Sequence, residues 1–273
     1  MLNDITLGQF FPGNSVLHRI DPRIKIILSI LYIVTIFLAR SLASFAVLVL
    51  SALLLVMLSG ISPKVVLKSL KPLLFIILFT VVINVFYTKS GTLLLEFYFI
   101  KIYSGGLLQA LFMMIRIVCL LIGSSVILTY TTSPMALTDA MERLLLPLKI
   151  FKVPVHEFAM IMTIALRFIP TLIDETNKIM NAQRARGSDF SSGGLLTRAK
   201  ALIPVLIPLL ISAFRRAEEL ATAMECRCYH GGEGRTRFRV LSIGVVDVLA
   251  VCMMLVLGII TVLFNIYIGG PSI

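Results

Sequence analysis

Long apolar runs separated by short polar connections dominate most of the chain. Runs close to the length of a membrane span cover residues 24–39, 42–58, 72–88, 105–130 and 240–268. A transmembrane α-helix needs about 20 mainly apolar residues, so the first three runs are short and would cross nearly upright or in a thinned bilayer. The pattern therefore predicts about five transmembrane helices.

The segment between the fourth and fifth runs, residues 131–239, has a helical pattern with too many charges to cross a membrane. Proline at the first helical position predicts one helix over 134–149. A second predicted helix begins at Pro154 and ends at Gly187, and a third runs from about 194 to 228. We expect these three helices to lie in the cytoplasm or at the membrane interface.

The second and third of these helices each begin with an apolar half and end with a charged half. The apolar halves cover 158–173, which Arg167 interrupts, and 201–214, which is uninterrupted. A stretch of that length is more typical of a buried or interfacial helix than of a bilayer crossing. The pattern favours helices that leave the membrane region and meet another protein, with one of them crossing the membrane as the alternative.

The composition restricts the class of protein. Hydrophobic residues make up 58% of the chain and charged residues only 14%, with a mean hydropathy of +1.00. A soluble domain carries about 25% charged residues, so a soluble enzyme and a disordered scaffold are both excluded. The four cysteines form no disulfide framework, and we interpret them as reduced thiols. The predicted fold class is an all-α polytopic membrane protein.

The positive charge predicts the orientation. The net charge is +11, and a cytoplasmic N-terminus places 21 of the 25 Lys and Arg residues in cytoplasmic segments. The positive-inside rule favours this orientation, which leaves the C-terminus outside the cell. The charge is thereby explained by the membrane, and we expect no nucleic acid partner. The predicted parts are a cytoplasmic N-terminal segment (1–23), a four-span region (24–130), a cytoplasmic helical region (131–239) and a last span with its tail (240–273).

Motifs for catalysis are absent or incomplete. No glycine-rich loop is followed by Lys-Ser or Lys-Thr, so the chain does not resemble a P-loop ATPase. His156-Glu157 begins a zinc-protease motif, but Met160 stands where the second histidine is needed. A soft metal could be bound by Cys226, Cys228 and His230, but no fourth ligand stands nearby in the sequence. We therefore expect no enzyme, metal or cofactor in this chain.

Two charges fall inside predicted spans. Arg116 lies near the middle of the fourth, and Asp247 about two turns from the cytoplasmic end of the fifth. Charges in the membrane are costly and often functional. Their depths differ by about 10 Å at 1.5 Å per residue, too far for direct pairing. For both charges we favour a structural role, and a role in transport is the alternative. Asn84 is a weaker candidate of the same kind.

Two of the helix ends predicted within residues 131–239 are alike. The first closes with Ala182, Gln183, Arg184, Ala185, Arg186 and Gly187, and the second with Ala223, Met224, Glu225, Cys226, Arg227 and Cys228. In both, a small residue stands four positions before the last arginine, and small residues flank that arginine. The pattern recurs at an offset of 41 residues.

These helix ends suit docking to another protein. Gly187 can take the left-handed conformation that ends a helix, and an arginine in the last turn complements the helix dipole. Its planar group can also reach past the tip and hold a carboxylate through two parallel bonds. A single copy would be an ordinary solvated helix end. Two copies favour a pair of docking tips, centred on Arg186 and Arg227, for a two-lobed partner.

Most of the chain resembles the transmembrane T component of energy-coupling factor (ECF) transporters, called EcfT. The run Ser15–Lys25 is similar to the opening signature of that family. Ala185-Arg186-Gly187 matches its first X-Arg-Gly motif. Arg227 matches the arginine of the second motif, but Cys228 stands where the family usually has glycine.

The resemblance implies an L-shaped coupling subunit in the plasma membrane of a prokaryote. Two ABC-type ATPases, expected as a heterodimer, would bind ATP and Mg²⁺ and receive one arginine tip each. One or more membrane-embedded S components would bind a vitamin or another micronutrient and slide on the apolar halves 158–173 and 201–214. Membrane lipid is the remaining expected partner. A self-contained secondary transporter or channel, which should show an inverted repeat, and a membrane enzyme are the alternatives.

Overall fold

The computed structural model describes residues 10–88, 90–97, 100–190, 194–231 and 243–267. The helices are α1 Val16–Arg19, α2 Pro22–Leu38, α3 Leu42–Ser59, α4 Pro63–Leu70, α5 Leu74–Tyr87, α6 Ser104–Ser124, α7 Pro134–Leu145, α8 Val155–Ala185, α9 Leu195–Glu225 and α10 Val245–Tyr267. A 3₁₀ turn joins α4 to α5, a π-helical turn (Ser125–Tyr130) extends α6, and a 3₁₀ turn (Leu146–Phe151) follows α7. The predicted helical, polytopic fold class is confirmed.

One short β-hairpin adds to the predicted helices. Strands β1 (Leu93–Phe97) and β2 (Ile100–Tyr103) pair antiparallel in the connection before α6. This stretch is rich in aromatic residues and isoleucine, which are favoured in strands. It is too short to cross a membrane as a helix, so the pattern of spans does not predict it.

Six described helical segments are long and apolar enough to cross a membrane. Four of them coincide with predicted spans: α3, the continuous pair α4–α5, α6 with its π-helical turn, and α10. The other two are α8 and α9, which sequence analysis placed outside the membrane. The predicted first span is α2, whose 17 residues extend about 25 Å, slightly less than the ~30 Å hydrocarbon core. Length and composition thus select six helices where sequence analysis counted about five.

The described residues from Phe10 to Leu137 form one compact unit with residues 243–267. In this unit α2 and α3 each pack against both α6 and α10. Its largest fully buried side chains are Tyr32, Ile36, Phe45, Leu48, Val126 and Tyr130. The ring of Tyr32 lies so close to Gly123 of α6 that any Cβ at this glycine would collide with it. A glycine inside an apolar helix is thereby explained by packing.

The side chain of Asn265, near the end of α10, holds the turn between α2 and α3. Its Oδ1 accepts hydrogen bonds from the N–H groups of Arg40 (3.0 Å) and Ser41 (3.1 Å) and from the hydroxyl of Ser44 (2.8 Å). Its Nδ2 donates to the carbonyl of Leu38 at 2.6 Å. These backbone groups lie at helix ends, where the helix itself leaves groups without a partner. Sequence analysis did not single out Asn265.

The described residues from Thr138 to Gly231 form a second compact unit. It consists mainly of α8 and α9, each 31 residues long, which pack against each other. The helix α8 continues through Pro170, and α9 continues through Pro204 and Pro208. These two helices carry the predicted docking tips.

Candidate functional site

The first predicted tip, at the end of α8, closes with a Schellman motif. Gly187 has a φ of +90°, in the left-handed region. Its N–H donates to the carbonyl of Arg184 (2.9 Å), and the N–H of Ser188 donates to the carbonyl of Gln183 (3.0 Å). These two bonds define this type of helix ending. The predicted left-handed conformation of Gly187 is confirmed, and Arg186 directly precedes this residue.

The second tip, at the end of α9, closes in the same way although its left-handed residue is a cysteine. Cys228 has a φ of +55°. Its N–H donates to the carbonyl of Glu225 (2.8 Å), and the N–H of Tyr229 donates to the carbonyl of Met224 (3.1 Å). Arg227 therefore occupies the position that Arg186 has in the first tip. A cysteine in the position that glycine occupies at the first tip thus forms the same helix ending.

A left-handed backbone conformation at a residue with a Cβ costs about 1–2 kcal/mol. We expect Cys228→Gly to relieve about 1 kcal/mol at the second tip, and Gly187→Ala to add a similar cost at the first. Hydrogen exchange should then slow about fivefold at the amide of Tyr229 and speed up about fivefold at that of Ser188.

The matched control for this pair of variants is Cys226→Ala, because Cys226 is the C-cap residue of α9 and has a right-handed helical backbone conformation. It should leave exchange at Tyr229 unchanged. Faster exchange at Tyr229 in Cys228→Gly would contradict a strained cysteine at this position.

Both tips present an exposed arginine among small side chains. The exposed members are Ala182, Ala185, Arg186, Gly187, Ala223, Cys226, Arg227 and Cys228. Neither Arg186 nor Arg227 forms an ion pair within the described part of the chain. The guanidinium of Arg184 lies over the ring of Phe190 at 5.9 Å and so belongs to the packing of the tip. The free tip arginines can bind a carboxylate of another molecule.

Two hydrogen bonds show how α8 and α9 lie against each other. Arg216 Nη2 donates to Glu175 Oε2 at 2.6 Å, and Gln183 Nε2 donates to the carbonyl of Pro204 at 3.3 Å. From the first bond to the second, the residue number rises from 175 to 183 on α8 and falls from 216 to 204 on α9. The two helices are therefore antiparallel. Each tip arginine lies eleven residues beyond the ion pair, about 16 Å along its helix. The tips point in opposite directions, about 33 Å apart.

The antiparallel arrangement places the apolar half of each helix beside the charged half of the other. The apolar half of α9 exposes seven large side chains: Leu202, Ile203, Leu206, Ile207, Leu210, Ile211 and Phe214. If α8 crossed a bilayer through its own apolar half, the charges that follow Arg216 on α9 would enter the hydrocarbon. Charges in that position are costly. This pairing favours the prediction that the two helices lie outside the membrane.

Arg116 of α6 makes structural contacts with the turn between α2 and α3. Its Nη2 donates to the carbonyl of Ala39 at 2.8 Å, and its guanidinium lies 5.5 Å from the centre of the Phe45 ring. The ring of Phe45 in turn stacks on Phe112. These contacts favour the structural interpretation of Arg116. Asn84 likewise donates to a backbone carbonyl of its own helix, that of Thr80, at 2.8 Å.

Asp247 lies in the first turn of α10, which begins at Val245, rather than two turns inside a span. This position corrects the sequence prediction, which started the last helix at 240, and residues 232–242 lie outside the described ranges. The carboxylate accepts from the N–H of Gly244 (2.7 Å) and of Asp21 (2.7 Å). It therefore caps its own helix and ties it to the start of α2. The predicted lack of a direct pair with Arg116 agrees with the separate partners of the two groups.

The N-terminal signature Ser15–Lys25 supplies the rest of this junction. Asp21 caps α2 by accepting from the N–H of Arg23 (2.9 Å), and Pro22 is the first helical residue. The buried Lys25 donates from Nζ to the carbonyl of Thr131 at 2.8 Å. These residues join the starts of α2 and α10 to the end of the π-helical turn. Sequence analysis recognised the signature, but its partners are distant in the chain and gave no local signal.

The incomplete metal motifs stay incomplete within the described residues. Nδ1 of His156 lies 3.0 Å from Glu142 Oε1, so this histidine pairs with α7. No group of three or more His, Cys, Asp or Glu side chains in the described ranges is placed to hold a metal ion.

Comparison with known proteins agrees with the resemblance. Residues 13–240 match the protein family CbiQ, described as cobalt transport protein. The EcfT transmembrane protein of the energy-coupling factor transporter from Ruminiclostridium cellulolyticum is 56% identical over 249 residues, covering 91% of this chain and 92% of the relative. The chain belongs to the EcfT family. The relative of the same name from Clostridium kluyveri is 48% identical over 270 residues, 98% of this chain and all of the relative. That from Bacillus subtilis is 47% identical over 241 residues, 88% of this chain and 91% of the relative.

Membership in the EcfT family makes this chain a multi-pass transmembrane component of a transporter. The CbiQ match includes the signature Ser15–Lys25 and both arginine tips. The relatives are named as transmembrane proteins of a transporter, in agreement with the prediction that this chain is a non-catalytic subunit.

Proposed function

We propose that this EcfT-family chain couples ATP hydrolysis by two ABC-type ATPases to the movement of a substrate-binding S component. The observation that carries the proposal is the pair of helix ends with one geometry. Arg186 and Arg227 each precede a left-handed residue, both are exposed, and both lack an ion pair within the described residues. Two such tips about 33 Å apart suit one partner lobe each.

The two lobes are, in this proposal, the subunits of an ATPase heterodimer that binds ATP and Mg²⁺. The flanking residues differ between the tips, with alanine and glycine at one and two cysteines at the other. Two different sockets are therefore the natural complement. Each socket would offer a carboxylate, because a buried arginine needs a charge partner.

The S component, in the same proposal, docks on the exposed apolar halves of α8 and α9. An apolar patch of this size on a soluble surface would be a liability, so a second membrane protein or lipid covers it. The cargo would be a vitamin or another micronutrient bound by the S component. The antiparallel pair of helices then lies outside the hydrocarbon, with the N-terminus of the chain cytoplasmic and its C-terminus outside the cell.

A self-contained secondary transporter or channel is the alternative. Such a protein needs polar groups that face a path at mid-depth. Arg116 and Asn84, the polar side chains weighed for that role, are both bonded to backbone carbonyls. The alternative therefore has less support than the coupling role.

The test is a gentle purification of the tagged full-length chain from its native host, followed by mass spectrometry. We expect two P-loop ATPases and at least one small membrane protein to co-purify, and the number of small proteins indicates whether the chain serves one or several. A chain that purifies alone and transports a solute by itself in vesicles would refute the coupling role.

A further inference from the structure

The two long helices place an ion pair at equivalent positions. Glu175 precedes Arg186 by eleven residues on α8, and Arg216 precedes Arg227 by eleven residues on α9. In each helix this is also the point where the apolar half gives way to the charged half. The first charges there are acidic on α8 and basic on α9. The ion pair therefore lies midway between the two tips.

The ion pair is short and directional. Arg216 Nη2 lies 2.6 Å from Glu175 Oε2, and the two side chains are 37% and 27% exposed. Ion pairs with this much exposure contribute little to overall stability. A charge-assisted hydrogen bond nevertheless requires a defined geometry. The main effect of the ion pair is therefore on the relative position of α8 and α9.

The register of two antiparallel helices needs such a contact. Apolar packing is non-directional, so a helix rich in leucine and isoleucine can shift along its neighbour at little cost. A shift of one turn would move one tip by about 5.4 Å relative to the other. Two arginines that must enter two sockets at once do not tolerate a displacement of that size.

We propose that the Glu175–Arg216 ion pair is a positioning contact that fixes the distance between the two arginine tips. The inference rests on the proposed coupling function and names two further residues for it. Neither residue touches the ATPases in this proposal. They act through the position of Arg186 and Arg227.

The distance between the tips can be measured in the full-length chain in lipid nanodiscs. Ala185→Cys and the native Cys226 occupy equivalent exposed positions at the two tips and can carry spin labels. The background is Cys228→Gly and Cys252→Ser, while the buried Cys119 stays unlabelled. The labelled residues each lie ten residues beyond the ion pair, so pulsed electron paramagnetic resonance should give a single distance of about 30 Å, plus or minus the label linkers.

Glu175→Gln and Arg216→Gln should each add a second population displaced by about one helical turn, or 5 Å. The matched controls are Asp174→Asn and Arg215→Gln, which remove the neighbouring exposed charges on the same two helices. They should keep the single distance. The double reversal Glu175→Arg with Arg216→Glu should restore it. Unchanged distances in both single variants would overturn the positioning role.

Co-purification of the ATPases separates this inference from the proposed function. At limiting ATPase concentrations, the Glu175→Gln and Arg216→Gln chains should each retain about two- to fivefold less ATPase than the wild-type chain. The double reversal should restore the wild-type amount. If the wild-type chain retains no ATPase, the coupling function fails while the distance measurement still decides on the ion pair. If ATPases bind and the distances do not respond, the ion-pair inference alone is wrong.

Discussion

Replacing both Arg186 and Arg227 by alanine should abolish co-purification of the ATPases. Each single replacement should weaken their binding by about 2–5 kcal/mol, because it leaves a buried carboxylate of the partner without its charge partner. The measurement is the amount of ATPase retained per tagged chain over a range of salt and protein concentrations. Uptake by cells that express the variants should fall in the same order.

The control for these variants is Arg215→Ala. This arginine is exposed on α9 beside the ion pair, midway between the two tips, and its replacement should leave ATPase binding unchanged. The double variant is not expected to unfold, because the bonds that close both helix ends involve backbone groups only. A double variant that retains both ATPases would refute the two docking tips.

Asn265→Leu should lower the free energy of unfolding of the compact unit that contains α2, α3, α6 and α10 by about 2–4 kcal/mol. The amide makes four hydrogen bonds to the turn between α2 and α3, and each is worth about 1 kcal/mol. Leucine is similar in size, so the loss reflects the hydrogen bonds rather than a cavity. Thermal unfolding in a mild detergent, followed by the accessibility of the buried Cys119 to a thiol reagent, measures the effect.

Two further variants sharpen this prediction. Asn265→Asp keeps the acceptor oxygen that serves Arg40, Ser41 and Ser44 and should cost less than the leucine variant. Asn84→Leu removes a single bond within one helix and should change the unfolding temperature little. Equal effects of Asn84→Leu and Asn265→Leu would show that the turn does not depend on Asn265.

The position and partners of Asp247 could not be predicted from the sequence. A carboxylate in an apolar run reads as an intramembrane charge, because hydropathy windows do not locate the start of a helix to the residue. In the structure Asp247 is a helix cap that also binds the N–H of Asp21. That contact joins residues 226 positions apart, so no local pattern could have revealed it.

The class of protein, most of the helices and both helix tips could be predicted from the amino-acid sequence. Apolar content and helix length depend on composition and local periodicity, and a Schellman ending joins residues only a few positions apart. The arginine tips, including the one with Cys228, could therefore be predicted from their own neighbourhoods.

The way in which these local elements combine depends on contacts between residues that are distant in the chain. The antiparallel arrangement of α8 and α9, in which Arg216 pairs with Glu175, could not be inferred from either helix alone. The same holds for Asn265 at the α2–α3 turn and for Lys25 on the carbonyl of Thr131. Each of these contacts connects distant parts of the chain, and packing selects such partners from many that are equally compatible with the local sequence.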